Sequence, residues 1–365
     1  MTRADLSRAR AFAYGGSVIQ DLGYYPFGNH LFTNLVHYVR SGDFVDALVR
    51  DARTPDEYAF ALGALAHYTA DNYGHRIAIN RAVPLVYPKL RVKYGDEVTY
   101  AESPKRHIMM EFAFDVVQVA GGAYLPDSYR DFIGFEVATP VLERAFRETY
   151  GLQLKDVFAD LDLAIGTYRF AASKTIPEMT RVAWHDNRAE IERLTPQVTQ
   201  STFVYTLSRR QYEQAFGTKY RRPGVLARLV AVVFKLIPKV GPFRPLAFTP
   251  PTPEAERLFL ESFAQARARY RSLVQGLRNA PPALRNTDFD TGHVTARGEY
   301  PLADETYADL LDKLAKNAFT SVPPELHRNI NQFYASGNGQ AVTRKERKRT
   351  ARVAAELAAM NANGR

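Results

Sequence analysis

The feature that most constrains this chain is the stretch 59–77, AFALGALAHYTADNYGHRI, in which His67, Asp71 and His75 follow one another at intervals of four. Four residues of α-helix advance one turn plus about 40°. The spacing therefore predicts all three side chains on one stripe, with Ala61, Leu62, Leu65 and Ala66 on the apolar surface around it. Imidazole, carboxylate and imidazole on one rigid element suit a divalent metal with the preferences of zinc. A single histidine on such a face is ordinarily a hydrogen-bonded core residue. The trio reads differently, because an aspartate is rarely buried without a partner or a metal.

Other segments add donors of the same kind. Ser103-Pro104 opens a second helix, SPKRHIMMEFAFDVVQVA, on which His107 and Glu111 lie four apart and share a face. His37 falls on a helix predicted over 31–40, and Asp21 falls in GSVIQDLGYYPFGNH (16–30), which reads as a loop. The seven candidates Asp21, His37, His67, Asp71, His75, His107 and Glu111 exceed what one tetrahedral zinc can use. Two metals sharing a carboxylate would use them all, and Asp71 is the natural bridge. A two-metal site activates a hydroxide near neutral pH and stabilises both the attacking and leaving oxygens of a phosphate ester. The chain has no cysteine, which excludes disulfides, disulfide-linked partners and thiolate metal sites.

Helical patterning dominates the 365 residues, so the expected fold class is all-α. A helix over 4–13 is expected to stop at Tyr14-Gly15-Gly16. Ser41-Gly42-Asp43 reads as a break before a short helix over 44–52, and Thr54-Pro55-Asp56-Glu57 is a capped start for the central helix. Residues 80–100, with Pro84, Pro88 and Gly95, read as irregular. Two or three helices follow over 127–174, with Leu142, Phe146 and Leu152 as core positions, and another over 178–194. Composition changes near residue 195, which divides the chain into 1–195, the part that carries the candidate ligands, and 196–365, a basic helical region that packs on the first or stands apart from it.

The formal charge of +9 is concentrated in that second part: nine Lys or Arg against Glu213 between Arg209 and Arg244, and six against Glu346 between Arg344 and Arg352. Local basicity points to an anionic surface as partner. The apolar run over 224–248, interrupted by Arg228, Lys235, Lys239 and Arg244, is too short to span a bilayer. It suits either the interface of an anionic membrane, with Arg228, Lys235 and Lys239 toward lipid phosphates, or a buried helix followed by a Pro-rich turn. Beyond it a long charged helix is expected over 253–277, a loop over 279–300, a helix over 302–318 and a solvated basic helix from Arg344.

The run from Gly16 to His75, with HYTADNYGH at its end and RHIMME after it, resembles the zinc-dependent phospholipase C and S1/P1 nuclease superfamily over roughly residues 11–190. The likeness is greatest to the bacterial zinc-dependent phospholipase C branch, which has the same short Asp-to-His spacing. The resemblance implies a mostly α-helical, P1 nuclease-like bundle and hydrolysis of phosphate esters with up to three zinc ions. By the same resemblance Asp21, His37, His67 and Asp71 hold the first zinc, and His75, His107 and Glu111 the second. Asp71 also reaches a third, and Asp21 is a candidate general base. The family's third zinc uses an N-terminal Trp and a nearby His, and this chain has neither before His30. Either the third site is missing or an upstream segment precedes this sequence; the abrupt charged start favours the second. The resemblance implies a secreted or periplasmic protein, although MTRADLSRARAFAYGG lacks the apolar core of a signal peptide.

The function expected from these residues is phospholipase C-type cleavage of a phospholipid phosphodiester by a metal-bound hydroxide. The alternatives are a nuclease or nucleotidase with the same metals, for which the basic segments would track a phosphate backbone, and a non-catalytic zinc-stabilised helical protein. Tyr24, Tyr25, Tyr68 and Tyr73 lie near the ligands in sequence; their rings would receive a choline head group or stack a base, or else pack the core of a protein with 21 tyrosines. His30 reads as a surface-loop residue or a substitute ligand for the third site, His185 as a helix-face residue, and His293 and His327 have no partner at metal-ligand spacing.

Overall fold

The computed structural model describes residues 2–120, 135–170, 249–336 and 344–363, with scattered positions between 181 and 204. Among them regular structure is helical throughout, apart from one isolated antiparallel bridge between Thr287 and Val294. The fold is all-α. No helix among the described residues is long and apolar enough to cross a membrane. The segment carrying Arg228, Lys235 and Lys239, and much of the helix expected over 178–194, lie outside the described residues.

In chain order the main elements are α1 (Arg3–Val18), a 3-10 turn (Ile19–Tyr24), α2 (His30–Tyr38), α3 (Ser41–Asp51) and α4 (Pro55–Tyr73). A π-helical turn (Gly74–Ile79) leads into α5 (Asn80–Val86), α6 (Pro88–Tyr94) and α7 (Pro104–Ala120). Then come α8 (Thr139–Tyr150), α9 (Leu161–Phe170), α10 (Pro253–Gly276), α11 (Pro301–Lys316), α12 (Pro324–Ala335) and α13 (Arg344–Asn363). Polar residues set the starts. Thr54 accepts from the Glu57 N–H with Pro55 behind it, Thr252 does the same for Ala255 with Pro253, and Asn29 accepts from Leu31 and Phe32.

Four expectations are corrected. Helix α1 does not stop at Tyr14-Gly15-Gly16 but runs through to Val18. The glycines serve close packing there: an added Cβ would lie 1.8 Å from the Glu136 carbonyl oxygen at Gly15 and 1.8 Å from that of Phe60 at Gly16. Gly63 answers from α4, where a Cβ would lie 2.0 Å from the Ala13 carbonyl oxygen. Secondly, Ser41-Gly42-Asp43 is the first turn of α3. The break falls one residue earlier, at Arg40, which is left-handed at φ 51° and is held there by Asp43 (2.6 Å) and the Thr149 carbonyl (2.8 Å). Thirdly, the span 80–100 contains α5, which tolerates Pro84 inside it, and α6. Fourthly, the loop read over 16–30 is narrowed to 25–29, since it opens with the end of α1 and the 3-10 turn and His30 already begins α2.

Leu142, Phe146 and Leu152 are buried as expected. They belong to a single apolar cluster that also takes in Leu35, Phe44 and Leu65 from the first part of the chain and Phe289, Leu310, Leu326, Val353 and Met360 from the last. The described C-terminal residues thus share a core with the helices that carry the candidate ligands. The basic tail helix is amphipathic rather than merely solvated: Val353 and Met360 face the core, and Arg352 reaches Asp312 on α11 at 3.3 Å.

Candidate metal centre

Each candidate ligand is fixed by the element that carries it. Asp21 lies in the 3-10 turn, whose backbone is pinned to α2 by Thr33; that hydroxyl donates to the Gln20 carbonyl (2.8 Å) and accepts from the Gly23 N–H (2.7 Å). His37 comes from the last turn of α2, His67 and Asp71 from α4, and His107 and Glu111 from one face of α7. His75 lies in the π-helical turn. A π turn takes more residues per revolution than an α turn. The interval of four thus takes His75 out of α4 and into a different helical geometry, where it groups with His107 and Glu111.

Two groups result. In the first, single donor atoms of Asp21, His37 and His67 lie within 4.8 Å of one another. Asp71 faces both imidazoles, at 3.1 Å from His67 Nε2 and 3.4 Å from His37 Nε2, while Asp21 lies 3.5 Å from His37 Nε2. In the second, His75, His107 and Glu111 converge within the same limit, with Glu111 3.0 Å from His107 Nδ1 and 3.7 Å from His75 Nε2. The groups are neighbours, since the Asp71 carboxylate acts on His75 electrostatically.

The hydrogen bonds of the four imidazoles determine which nitrogen faces each group. His37 Nδ1 meets the Thr33 carbonyl at 2.8 Å and His67 Nδ1 meets the Ser17 carbonyl at 3.0 Å. A carbonyl only accepts, so both Nδ1 atoms carry hydrogen and both Nε2 atoms turn toward Asp21 and Asp71. His75 Nδ1 donates to Asp290 at 3.1 Å, which frees Nε2 toward Glu111. Asn80 donates through Nδ2 to the Asp290 carbonyl (2.6 Å), so its Oδ1 accepts from His107 Nε2 (3.0 Å) and leaves Nδ1 toward Glu111. In metal sites the nitrogen that does not bind metal is ordinarily tied to an oxygen in this way. The donor set of imidazoles and carboxylates without thiolate fits zinc.

Electrostatics agree. Burial opposes charge on His37, yet hydrogen bonds and charge from Asp21 and Asp71 outweigh it and raise its pKa to about 10. His75 is likewise raised to about 10, burial being outweighed by Asp290, Asp71 and Glu111. Burial alone would raise the Asp71 pKa, but His67 and His37 hold it well below the ordinary carboxylate range. Three largely buried positions thus carry concentrated negative potential that a cation would neutralise.

The tyrosines separate by environment. Tyr68 is buried and donates to the Arg285 carbonyl at 2.9 Å, and Tyr25 stacks on Tyr168 at 3.9 Å, so both pack the interior. Tyr73 is half-buried beside the Arg76 guanidinium. Tyr24 is exposed, with its ring 6.2 Å from that of His37. His30 is exposed at the start of α2, and His293 pairs with Glu299 at 2.9 Å rather than joining either group. Asp290 and Asn80 escape a reading based on ligand spacing. Their only sequence signal is Phe289 between two aspartates in a loop: burying that ring draws its neighbours inward, and both are buried.

The fold is thus all-helical with two adjacent His/carboxylate groups that could each hold a metal ion. Residues 1–160 match the family described as zinc dependent phospholipase C. Over this segment the chain is similar to that family, one of zinc-dependent hydrolases acting on phosphoester bonds. No curated protein and no solved structure gives a significant match.

Proposed function

We propose that this protein cleaves the phosphodiester of a phospholipid in the phospholipase C manner, using two zinc ions. Asp21, His37, His67 and Asp71 hold the first and His75, His107 and Glu111 the second, with Asp71 placed to serve both. The observation that carries the reading is the common orientation of four imidazoles, each with one nitrogen tied to an oxygen and the other turned to a carboxylate. Bound zinc supplies Lewis acidity toward phosphoryl oxygen and lowers the pKa of water. The protein's own residues hold that charge in place. Asp71 is the more enclosed carboxylate, with 19% of its side chain exposed, and keeps its ionised form between His67 and His37. Asp21 is more open, with 37% exposed, and is the group placed to take a proton from attacking water. Tyr24 offers an exposed aromatic face beside the first group for a substrate head group.

The test is to incubate the full chain with zinc and either phosphatidylcholine vesicles or single-stranded DNA. Diacylglycerol release that a chelator abolishes and zinc restores is the expected result. Nucleotide release from DNA with no diacylglycerol would replace the lipid reading with a nuclease.

A further inference from the structure

The proposed second zinc set is braced from a part of the chain outside the family match. The segment 285–290 runs along the seam between α3, α4 and the end of α2. Thr287 exchanges hydrogen bonds with Ser41 and donates to Asn72 Oδ1 at 2.7 Å. The Phe289 N–H donates to the His37 carbonyl at 3.2 Å, and the Phe289 ring lies 5.0 Å from that of His37 and 6.1 Å from that of His67. This backbone delivers Asp290, 2% exposed, to His75.

Every polar atom around Asp290 has a defined role. Oδ1 accepts from His75 Nδ1 at 3.1 Å. Oδ2 accepts from the Tyr38 hydroxyl at 3.0 Å and from the Tyr300 hydroxyl. Its carbonyl accepts from Asn80 Nδ2, whose Oδ1 receives His107 Nε2. A carboxylate buried so completely needs this many donors to remain ionised. The donors also fix its rotamer, so Oδ1 has one direction in which to point. Both histidines of the second group are therefore oriented from one residue, His75 directly and His107 through Asn80.

We infer that Asp290 is the positioning residue of the second metal set, fixing His75 with Nε2 toward Glu111 and, through Asn80, His107 with Nδ1 toward Glu111. The inference rests on the two-zinc reading above. It makes the C-terminal region a working part of the metal centre, because Phe289 braces the first group and Asp290 orients the second. Outer partners of this kind typically change metal affinity by about 10- to 100-fold when removed.

The test compares the full chain with Asp290→Ala, Asp290→Asn and Tyr300→Phe. Zinc affinities are read by competition with a chromophoric chelator, and the ligand field by visible absorption after cobalt substitution. Asp290→Ala is expected to keep one zinc at parental affinity and to weaken the other at least about tenfold. Asp290→Asn, which retains an acceptor for His75 but not the charge, is expected to fall between. Both should alter the cobalt bands of one metal only. Tyr300→Phe removes one of the two hydroxyl donors that fix the Asp290 rotamer and the acceptor of the Ala101 N–H, so it should lower thermal stability and weaken the second affinity by less than Asp290→Ala does. If Asp290→Ala does not fold, Asp290→Asn decides. Two zincs at parental affinity with unchanged cobalt bands in the Asp290 variants would overturn the inference alone. A parent chain that binds fewer than two zincs would overturn the two-zinc reading and the inference with it.

Discussion

Gly63→Ala adds one methyl where α4 crosses α1, and its consequence can be followed from packing to the site. The new Cβ would stand 2.0 Å from the Ala13 carbonyl oxygen and 2.7 Å from the Ser17 N–H nitrogen, whereas ordinary contact begins at 3.4 Å. Both neighbours are backbone, so no side chain can swing aside. Helix α1 must therefore retreat from α4 by about 1.4 Å locally. Overpacking of this kind costs about 1–3 kcal/mol, and rigid backbone neighbours put this case at the upper end. For a chain of this size that is a fall in Tm of roughly 3–4 °C. The same movement withdraws the Ser17 carbonyl from His67 Nδ1, now 3.0 Å away, and loosens the turn that carries Asp21. Affinity for the first zinc should fall with stability, while the second set, built on the π turn, α7 and Asp290, is less affected. Differential scanning calorimetry and zinc competition read the two effects. Gly74→Ala is the control, because nothing lies within 4 Å of its Cβ and its φ is helical. A Gly63→Ala protein that melts within a degree of the parent and keeps both zinc affinities would refute the argument.

Two further predictions concern charge. His37 and His75 are held protonated to about pH 10 by their carboxylate neighbours, although burial opposes it. Zinc requires them neutral, so filling both sites at about pH 8 should expel about two protons, visible as a buffer-dependent binding heat; histidines with ordinary values would release almost none. Asp46 is raised to about 6, chiefly by burial, against the Leu284 N–H that favours its ionised form. A folded-state pKa above the unfolded one means that this carboxyl favours folding below about pH 4 and that the advantage is lost as pH rises through about 6. Asp46→Asn keeps an acceptor for Leu284 and removes the charge. It should gain about 1 kcal/mol at neutral pH, a figure already reduced for partial solvent screening, and nothing near pH 4; urea melts that show no gain at neutral pH would contradict it.

What the sequence makes legible follows from how local each determinant is. The start of α4 is readable because Thr54, Pro55 and Glu57 settle it within one turn. The candidate ligands are readable because imidazoles and carboxylates at helical intervals are uncommon and lie on few elements, and the residues singled out by spacing do lie together. Gly15-Gly16 misleads because a glycine pair has two uses, as a helix stop and as a bare surface. Only the position of Phe60 and Glu136 across the gap distinguishes them. The π turn that carries His75 is invisible to a count of fours. The tail shows six basic residues between Arg344 and Arg352, but Val353 and Met360 take a helical spacing that matters once α11 is present to receive them.

Asp290 is the extreme case, and it bears on how the whole molecule is built. It lies 215 residues from His75 in sequence, in a loop whose titratable histidine, His293, faces elsewhere. No periodicity marks it, since its position is set by Phe289 entering the apolar cluster beneath His37 and His67. The division of the chain near residue 195 is therefore one of composition, and the metal centre crosses it. Candidate ligands come from α2, α4 and α7, while the loop before α11 supplies the carboxylate oxygen that meets His75 Nδ1. A fragment ending at residue 160 would retain all seven candidate ligands and lose both Phe289 and Asp290. It would also expose Leu35, Phe44 and Leu65, which share their core with Leu310, Leu326 and Met360. The candidate ligands alone are thus not the proposed centre; the fold that holds their second nitrogens is part of it.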